Sequence, residues 1–276
     1  MRRPTLRDVA ARAGVSHQTV SRVINADDRV LGETRERVLV AIRELDYVPN
    51  GIAQSLAARR TRTLGVSVAD ISAYSVGQMI AGAEETARRA GFFLIVGSTE
   101  ESPAPAMGDA WREHTGRMLH RGIDGLILAW PSLPAEVRPV LARIASRVPL
   151  VTLSSQPNLP GAGTVSIDNQ RGAFDATTFL ISQGHRGIAT IAGPAHWRAS
   201  VTRLEGYERA LRQAGIAPRA SLTVRCDDWD PLAGRQSAAT LLDAGEPFTA
   251  IFAQNDLLAL GAISAIRDRG LCVPED

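Results

Sequence analysis

The chain has 276 residues, too many for one small domain and about right for a small module joined to a larger one. Its 45% hydrophobic and 22% charged residues have the balance of a soluble globular protein, and no stretch approaches the roughly 18 apolar residues that span a bilayer. Cys226 and Cys272 cannot make a disulfide framework, and "MRRPTLRDVA" lacks the apolar run of a signal peptide, so a cytoplasmic, membrane-free setting is expected. The overall charge of +2 hides an asymmetry: residues 1–62 carry a net +5 and residues 63–276 a net −3. Basic character gathered at one end points to a polyanion partner for that end, although a solvated charged face gives the same count. Every cation is an arginine; the absence of lysine reads as genomic base-composition bias, while guanidinium groups also suit phosphate and guanine edges.

The first helix is expected to start at Thr5, with Asp8 at capping-box spacing and Leu6, Val9, Ala10 and Ala13 on one face. Gly14 breaks it. Ser16 then caps a second helix whose Val20, Val23 and Ile24 point inward, and a third runs from about Thr34 with Val38, Ala41, Ile42 and Leu45 buried. Helix, tight turn and helix make a helix-turn-helix pattern, whose second helix reads the major groove. Its outward face holds His17, Gln18, Ser21 and Arg22, with Asn25 at its end. Gln18 and Arg22, four residues apart, project together. Arginine pairs bidentately with guanine and glutamine with adenine. Ser16, Thr19 and Ser21 offer hydroxyls and a helix N-terminus to phosphates, which position the module without reading sequence. A three-helix bundle with a polar face and no DNA role fits the pattern less well.

Residues 5–25 ("TLRDVAARAGVSHQTVSRVIN"), 34–50 ("TRERVLVAIRELDYVPN") and 53–57 ("AQSLA") closely resemble the LacI/GalR family of bacterial repressors, nearest its lactose-repressor branch. The resemblance implies base reading by His17, Gln18 and Arg22, with His17 standing where the lactose repressor has tyrosine. Thr5, Ser16, Thr19, Ser21 and Asn25 belong to the same implied DNA face, and the implied partner is a pseudo-palindromic double-stranded operator bound by a homodimer.

Domain boundaries are expected at 1–48 for the helix-turn-helix, 49–62 for a hinge and 63–276 for a core. In the hinge, Asn50 can cap a helix with Ile52, Ala53, Leu56 and Ala57 as an apolar stripe. At nine residues it is below the roughly 12–15 at which an isolated helix is stable, so it reads as a linker in the absence of DNA. The resemblance implies that two such hinges pair as helices in the minor groove, where Asn50, Ala53 and Leu56 touch the operator and Leu56 wedges a base step.

From Leu64, short apolar runs at 64–68, 92–97, 125–129, 150–153, 164–167, 188–193, 222–225 and 250–253 alternate with helical stretches, among them 75–90, 171–183, 198–214 and 255–269. The alternation predicts an α/β core of parallel sheets flanked by helices. Two sets of four strands, divided near 154–163, suggest subdomains 63–158 and 164–276, a periplasmic-binding-protein-like arrangement with ligand beyond the carboxyl ends of the strands. At those ends the resemblance matches Arg203, Trp229 and Asn255 to residues that hold a sugar-like effector, and sets Tyr74 and Ser75 on the opposite pocket wall. "ISAYSV" departs from the family there, and Ser154 replaces an acid of the lactose repressor. Asp168 and Asp256 read more readily as helix caps, and Trp229 could merely fill a loop.

No Gly-x-Ser-x-Gly elbow, His-Glu-x-x-His, phosphate loop or clustered Cys/His set is present, so no enzyme, cofactor or metal is expected. His114, His120, His185 and His196 are scattered and read as surface or satisfied residues. A solute-binding protein of the same core fold is the alternative function, weakened by the attached DNA module. The chain stops at "GLCVPED" where a further strand is due, and is expected to be a C-terminally truncated fragment.

Overall fold

The computed structural model describes residues 4–25, 27, 29–48, 60–71, 73–98, 104–130, 137–153 and 159–276, with the backbone alone at 104–111. It divides into two units, Met1–Thr63 and Leu64–Asp276.

In the first unit three helices form where apolar spacing favours them, the first two with side-chain caps: α1 (Leu6–Ala13), α2 (His17–Ile24) and α3 (Gly32–Glu44). Thr5 and Asp8 complete the capping box, the Thr5 amide donating to Asp8 Oδ2 at 2.7 Å. Gly14 ends α1 at φ 66°, a left-handed conformation that costs glycine little. Val9, Val20 and Val38, one from each helix, are fully buried at the centre. Each contributes on the order of 1.5–3 kcal/mol by area burial, an upper estimate. Tyr47, beyond α3, closes this core, and an Arg12–Glu44 ion pair of 2.6 Å joins α1 to the end of α3.

The second unit alternates strands and helices: β1 (Thr63–Val68), α4 (Tyr74–Arg89), β2 (Phe93–Ser98), α5 (Ala104–His120), β3 (Gly125–Ala129), α6 (Arg138–Ala145), β4 (Leu150–Leu153), β5 (Gly163–Val165), α7 (Asn169–Ser182), β6 (Ile188–Ala192), α8 (Arg198–Gln213), β7 (Thr223–Arg225), α9 (Pro231–Asp243), β8 (Ala250–Ala253) and α10 (Asp256–Asp268). One sheet has the order β2-β1-β3-β4-β5 and the other β7-β6-β8. The pairs β1–β3, β3–β4, β4–β5, β6–β7 and β6–β8 are parallel. The division into two sets of four strands is therefore corrected: Gly163–Val165 pairs with Val151–Leu153 and makes the first sheet five-stranded. A three-residue strand carries too little pattern to reveal which sheet it joins.

β6 is buried along its whole length because helices cover both faces of its sheet, which explains its uncharged run "IATIA", in which the one polar residue, Thr190, donates from its hydroxyl to Phe252 O at 2.9 Å. Tyr207 of α8 is fully buried and donates from its hydroxyl to Ile188 O at 2.6 Å, bolting that helix to the first residue of β6. In each sheet the chain starts at an inner strand and reverses direction of growth beside it, between β1 and β3 in one and between β6 and β8 in the other. Open sheets of this kind bind ligands at that reversal, beyond the strand ends.

Candidate DNA-binding and effector sites

On α2, burial of Val20 and Val23 turns the opposite face outward, so His17, Gln18, Arg22 and Asn25 are exposed while Thr19 and Ser21 are half-buried. Ser16 Oγ accepts the Thr19 amide at 3.2 Å and lies 3.0 Å from Thr19 Oγ1, fixing the start of the helix and its free N–H groups. Thr5, likewise exposed, spends its side chain on the α1 cap. Asp27, the acid just past α2, is held by Arg29 through bonds of 2.9 and 2.8 Å. Those bonds, more than the weaker field of Arg22, hold its carboxyl down at about 2. The recognition face thus offers a guanidinium, a carboxamide and an imidazole, with the adjacent acid already paired. Asn50, Ala53 and Leu56 lie outside the described residues, as does Ser154.

At the reversal point of the second sheet, Arg203, Trp229 and Asn255 come together from three separate chain segments. Arg203 Nε donates to Asn169 Oδ1 at 2.8 Å, and Nη1 donates to Gln254 O. Its guanidinium carbon lies 5.8 Å from the centre of the Trp229 ring, a cation–π contact. Burial pushes its pKa down. Trp229 O accepts Asn255 Nδ2 at 3.3 Å, while Asn255 Oδ1 accepts the Leu258 amide at 2.7 Å, so Asn255 caps α10 as well as holding the tryptophan loop. Asp168 caps α7 by accepting the Arg171 amide at 2.9 Å, whereas Asp256 is the exposed first residue of α10.

Four residues that sequence reasoning passed over complete this cluster. Trp197 meets Trp229 edge-on, with ring centres 5.7 Å apart. Asn169 is buried beneath the guanidinium. Buried Gln254 accepts the Gly193 amide at 3.1 Å and donates to Ser200 O at 3.0 Å, and Ser200 Oγ donates back to Gly193 O at 2.8 Å. The benzo ring of Trp229 lies so close over Gly193 that a Cβ there would fall 2.2 Å from a ring carbon. Position beyond a strand end was the only available signal for Trp197 and Gln254.

Tyr74 and Ser75 are exposed at the start of α4, after β1 at the other reversal point, and no hydrogen bond among the described residues joins them to the Arg203 cluster. His185 is satisfied by Thr249 Oγ1 at 2.8 Å, and His120 and His196 are exposed. His114 is a correction: its Nε2 is buried without a partner among the described residues, packed where a Cβ on Gly97 would otherwise stand. Desolvation lowers its pKa. The fold covers it with a neighbouring strand that helical periodicity alone does not reveal.

A helix-turn-helix unit followed by an α/β core with a polar-aromatic cluster at its strand ends defines a DNA-binding regulator with a sensory domain. The profile of "Bacterial regulatory proteins, lacI family" matches residues 5–50, and that of "Periplasmic binding proteins and sugar binding domain of LacI family" matches residues 61–276. The chain belongs to the LacI family, and is a DNA-binding transcriptional repressor whose core answers to a small-molecule effector. It is 35% identical to the HTH-type transcriptional regulator DegA of Bacillus subtilis, over 99% of this chain and 79% of that one. It is 34% identical to catabolite control protein A of Priestia megaterium, over 99% and 80%. In structure it is similar to the Lac repressor dimer bound to operator and the anti-inducer ONPF, with TM-score 0.88, 32% identity and coverage of 100% and 81%. The transcriptional regulator CelR in complex with cellobiose matches with TM-score 0.68, 35% identity and coverage of 99% and 81%. Among the described residues no helix is long and apolar enough to cross a membrane.

Proposed function

We propose that this chain works in the cytoplasm as a homodimeric repressor of a pseudo-palindromic operator, retained on it or released from it by a sugar-like effector, and that it catalyses no reaction. The observation that carries this reading is the Arg203–Trp229–Asn255 cluster at the reversal point of the second sheet, in the same chain as the exposed Gln18–Arg22 face. Aromatic faces with polar fingers suit a sugar ring, and the cellobiose complex of the similar regulator CelR supports that class. Tyr74 and Ser75 would supply the other wall. Residues His17, Gln18 and Arg22 would read bases, with Thr5, Ser16, Thr19, Ser21 and Asn25 on backbone and flanks. The hinge, with Asn50, Ala53 and Leu56, would fold as a helix only on the operator.

Linkage fixes the form of the switch: an effector that weakens operator binding must itself be weakened equally by operator. Binding-site selection on random DNA yields the operator, and fluorescence anisotropy with a sugar panel then follows release or retention. A core that binds sugar with no effect on DNA affinity would overturn the regulatory reading. Circular dichroism tests the hinge: operator must add helix to the protein spectrum, and an unchanged spectrum removes the coupled-folding step.

A further inference from the structure

The acid that follows the recognition helix lies beside the arginine proposed to read guanine. The Asp27 amide donates to Arg22 O at 2.9 Å, a six-to-one bond of the kind that closes a helix and brings the side chains at its two ends together. From the other side, Nη2 of Arg35 on α3 donates to Asp27 O at 2.8 Å. With its amide and its carbonyl both held, the Asp27 backbone is fixed. Its carboxylate therefore stays at the end of α2, and only the cation that answers it can change.

That cation is Arg29. Its Nε and Nη2 donate to Oδ1 and Oδ2 at 2.9 and 2.8 Å, a two-bond fork, and its amide adds a bond to Oδ1 at 3.0 Å. The Asp27 side chain is 18% exposed and that of Arg29 79%, so the arginine is the outer member of the pair. Both guanidiniums bear on the same carboxylate: the Arg29 bonds lower its pKa most, and the field of Arg22 least. A carboxylate engaged by one fork exerts little pull on a second guanidinium. Stripped of Arg29, Asp27 would present Arg22 with a negative charge and the same pair of acceptors that guanine presents as O6 and N7.

We infer that Arg29 is a positioning residue for base reading: by holding Asp27 it keeps that acid from competing with guanine for Arg22. This rests on the reading of Arg22 as a base reader and adds to it a residue outside the recognition helix.

Fluorescence anisotropy on this chain tests it with two duplexes, the operator recovered by binding-site selection and a random duplex of equal length. Arg29→Gln should lower the ratio of operator to random affinity about two- to fivefold, the weight of one exposed ion pair. Adding Asp27→Asn to that variant should restore the ratio. Asp27→Asn alone should leave the ratio where it was, even where it shifts the thermal melt. In an Arg22→Ala background, Arg29→Gln should have no further effect on the ratio. Equal losses on both duplexes, with a salt slope lowered by about one, would make Arg29 a phosphate contact and overturn the inference. An unchanged ratio in Arg29→Gln overturns it, as does a loss that Asp27→Asn fails to restore or that persists without Arg22. If Arg22→Ala itself leaves operator binding unchanged, the base-reading role falls and the inference with it.

Discussion

Gly193 is the point at which the fold and the Arg203–Trp229–Asn255 cluster can be disturbed by one methyl group. It follows the last residue of β6, and a Cβ added there would lie 2.2, 2.4 and 2.5 Å from three carbons of the Trp229 benzo ring. Ordinary contact begins at 3.4 Å, so in Gly193→Ala the ring must retreat by about 1 Å or more. Retreat strains the Arg203 contact at 5.8 Å and the Trp197 contact at 5.7 Å, and the loop is tethered through Trp229 O to Asn255. Overpacking costs about 1–3 kcal/mol. Loss of the edge-on aromatic contact adds roughly 0.5–1.5 kcal/mol, and the cation–π contact a similar amount. Some relaxation will overlap these, so a net loss of about 2–3 kcal/mol is expected. With a urea dependence of about 1–3 kcal/mol per molar, the midpoint should fall by on the order of 1 M, followed by tryptophan fluorescence. Near-ultraviolet circular dichroism should change as the Trp197–Trp229 geometry changes. The control is Gly172→Ala in α7, where nothing lies within 4 Å of the added methyl and helix propensity favours alanine by up to about 1 kcal/mol. If Gly193→Ala leaves midpoint and spectrum as they were, or matches the control, the close packing of Trp229 on β6 is not what holds this site.

Three further outcomes are expected. Arg22→Ala should weaken operator binding by about 1–3 kcal/mol, roughly 5- to 150-fold by anisotropy, with effector binding unchanged; equal binding of operator by the variant would remove Arg22 from base reading. Tyr207, its hydroxyl buried and its pKa pushed up to about 12 chiefly by desolvation, stabilises the fold below its ordinary pKa of 10.0, and that contribution is lost as pH rises from about 10 to about 12. Tyr207→Phe should cost about 1–2 kcal/mol at neutral pH and flatten alkaline unfolding, whereas an unchanged alkaline profile would assign that transition to other groups. Asp27, lowered from 3.8 to about 2 by its Arg29 bonds, stabilises the helix-turn-helix above pH 3.8, and the contribution disappears as pH falls towards 2. In Asp27→Asn the acid unfolding of that unit should shift less with pH in this window, which a pH series of thermal melts will detect or refute.

What could be read in advance divides along the range of the interactions. The helix-turn-helix is legible because its determinants are local: Thr5 and Asp8 cap within one turn, Gly14 and Ser16 punctuate, and Val20 and Val23 define which face remains for Gln18 and Arg22. The start of α3 was placed late, at Thr34 rather than Gly32, because Leu31 makes no side-chain cap and so leaves no sign. In the core, strand existence followed from apolar runs, but the membership of Gly163–Val165 depends on pairing with Val151–Leu153, which no local pattern encodes. The candidate effector cluster shows the same limit. Arg203, Trp229 and Asn255 were found through family resemblance, since the residues lie 26 positions or more apart along the chain. Gln254, Ser200 and Asn169, which hold them, have side chains whose role exists only once β6, β8, α7 and α8 meet.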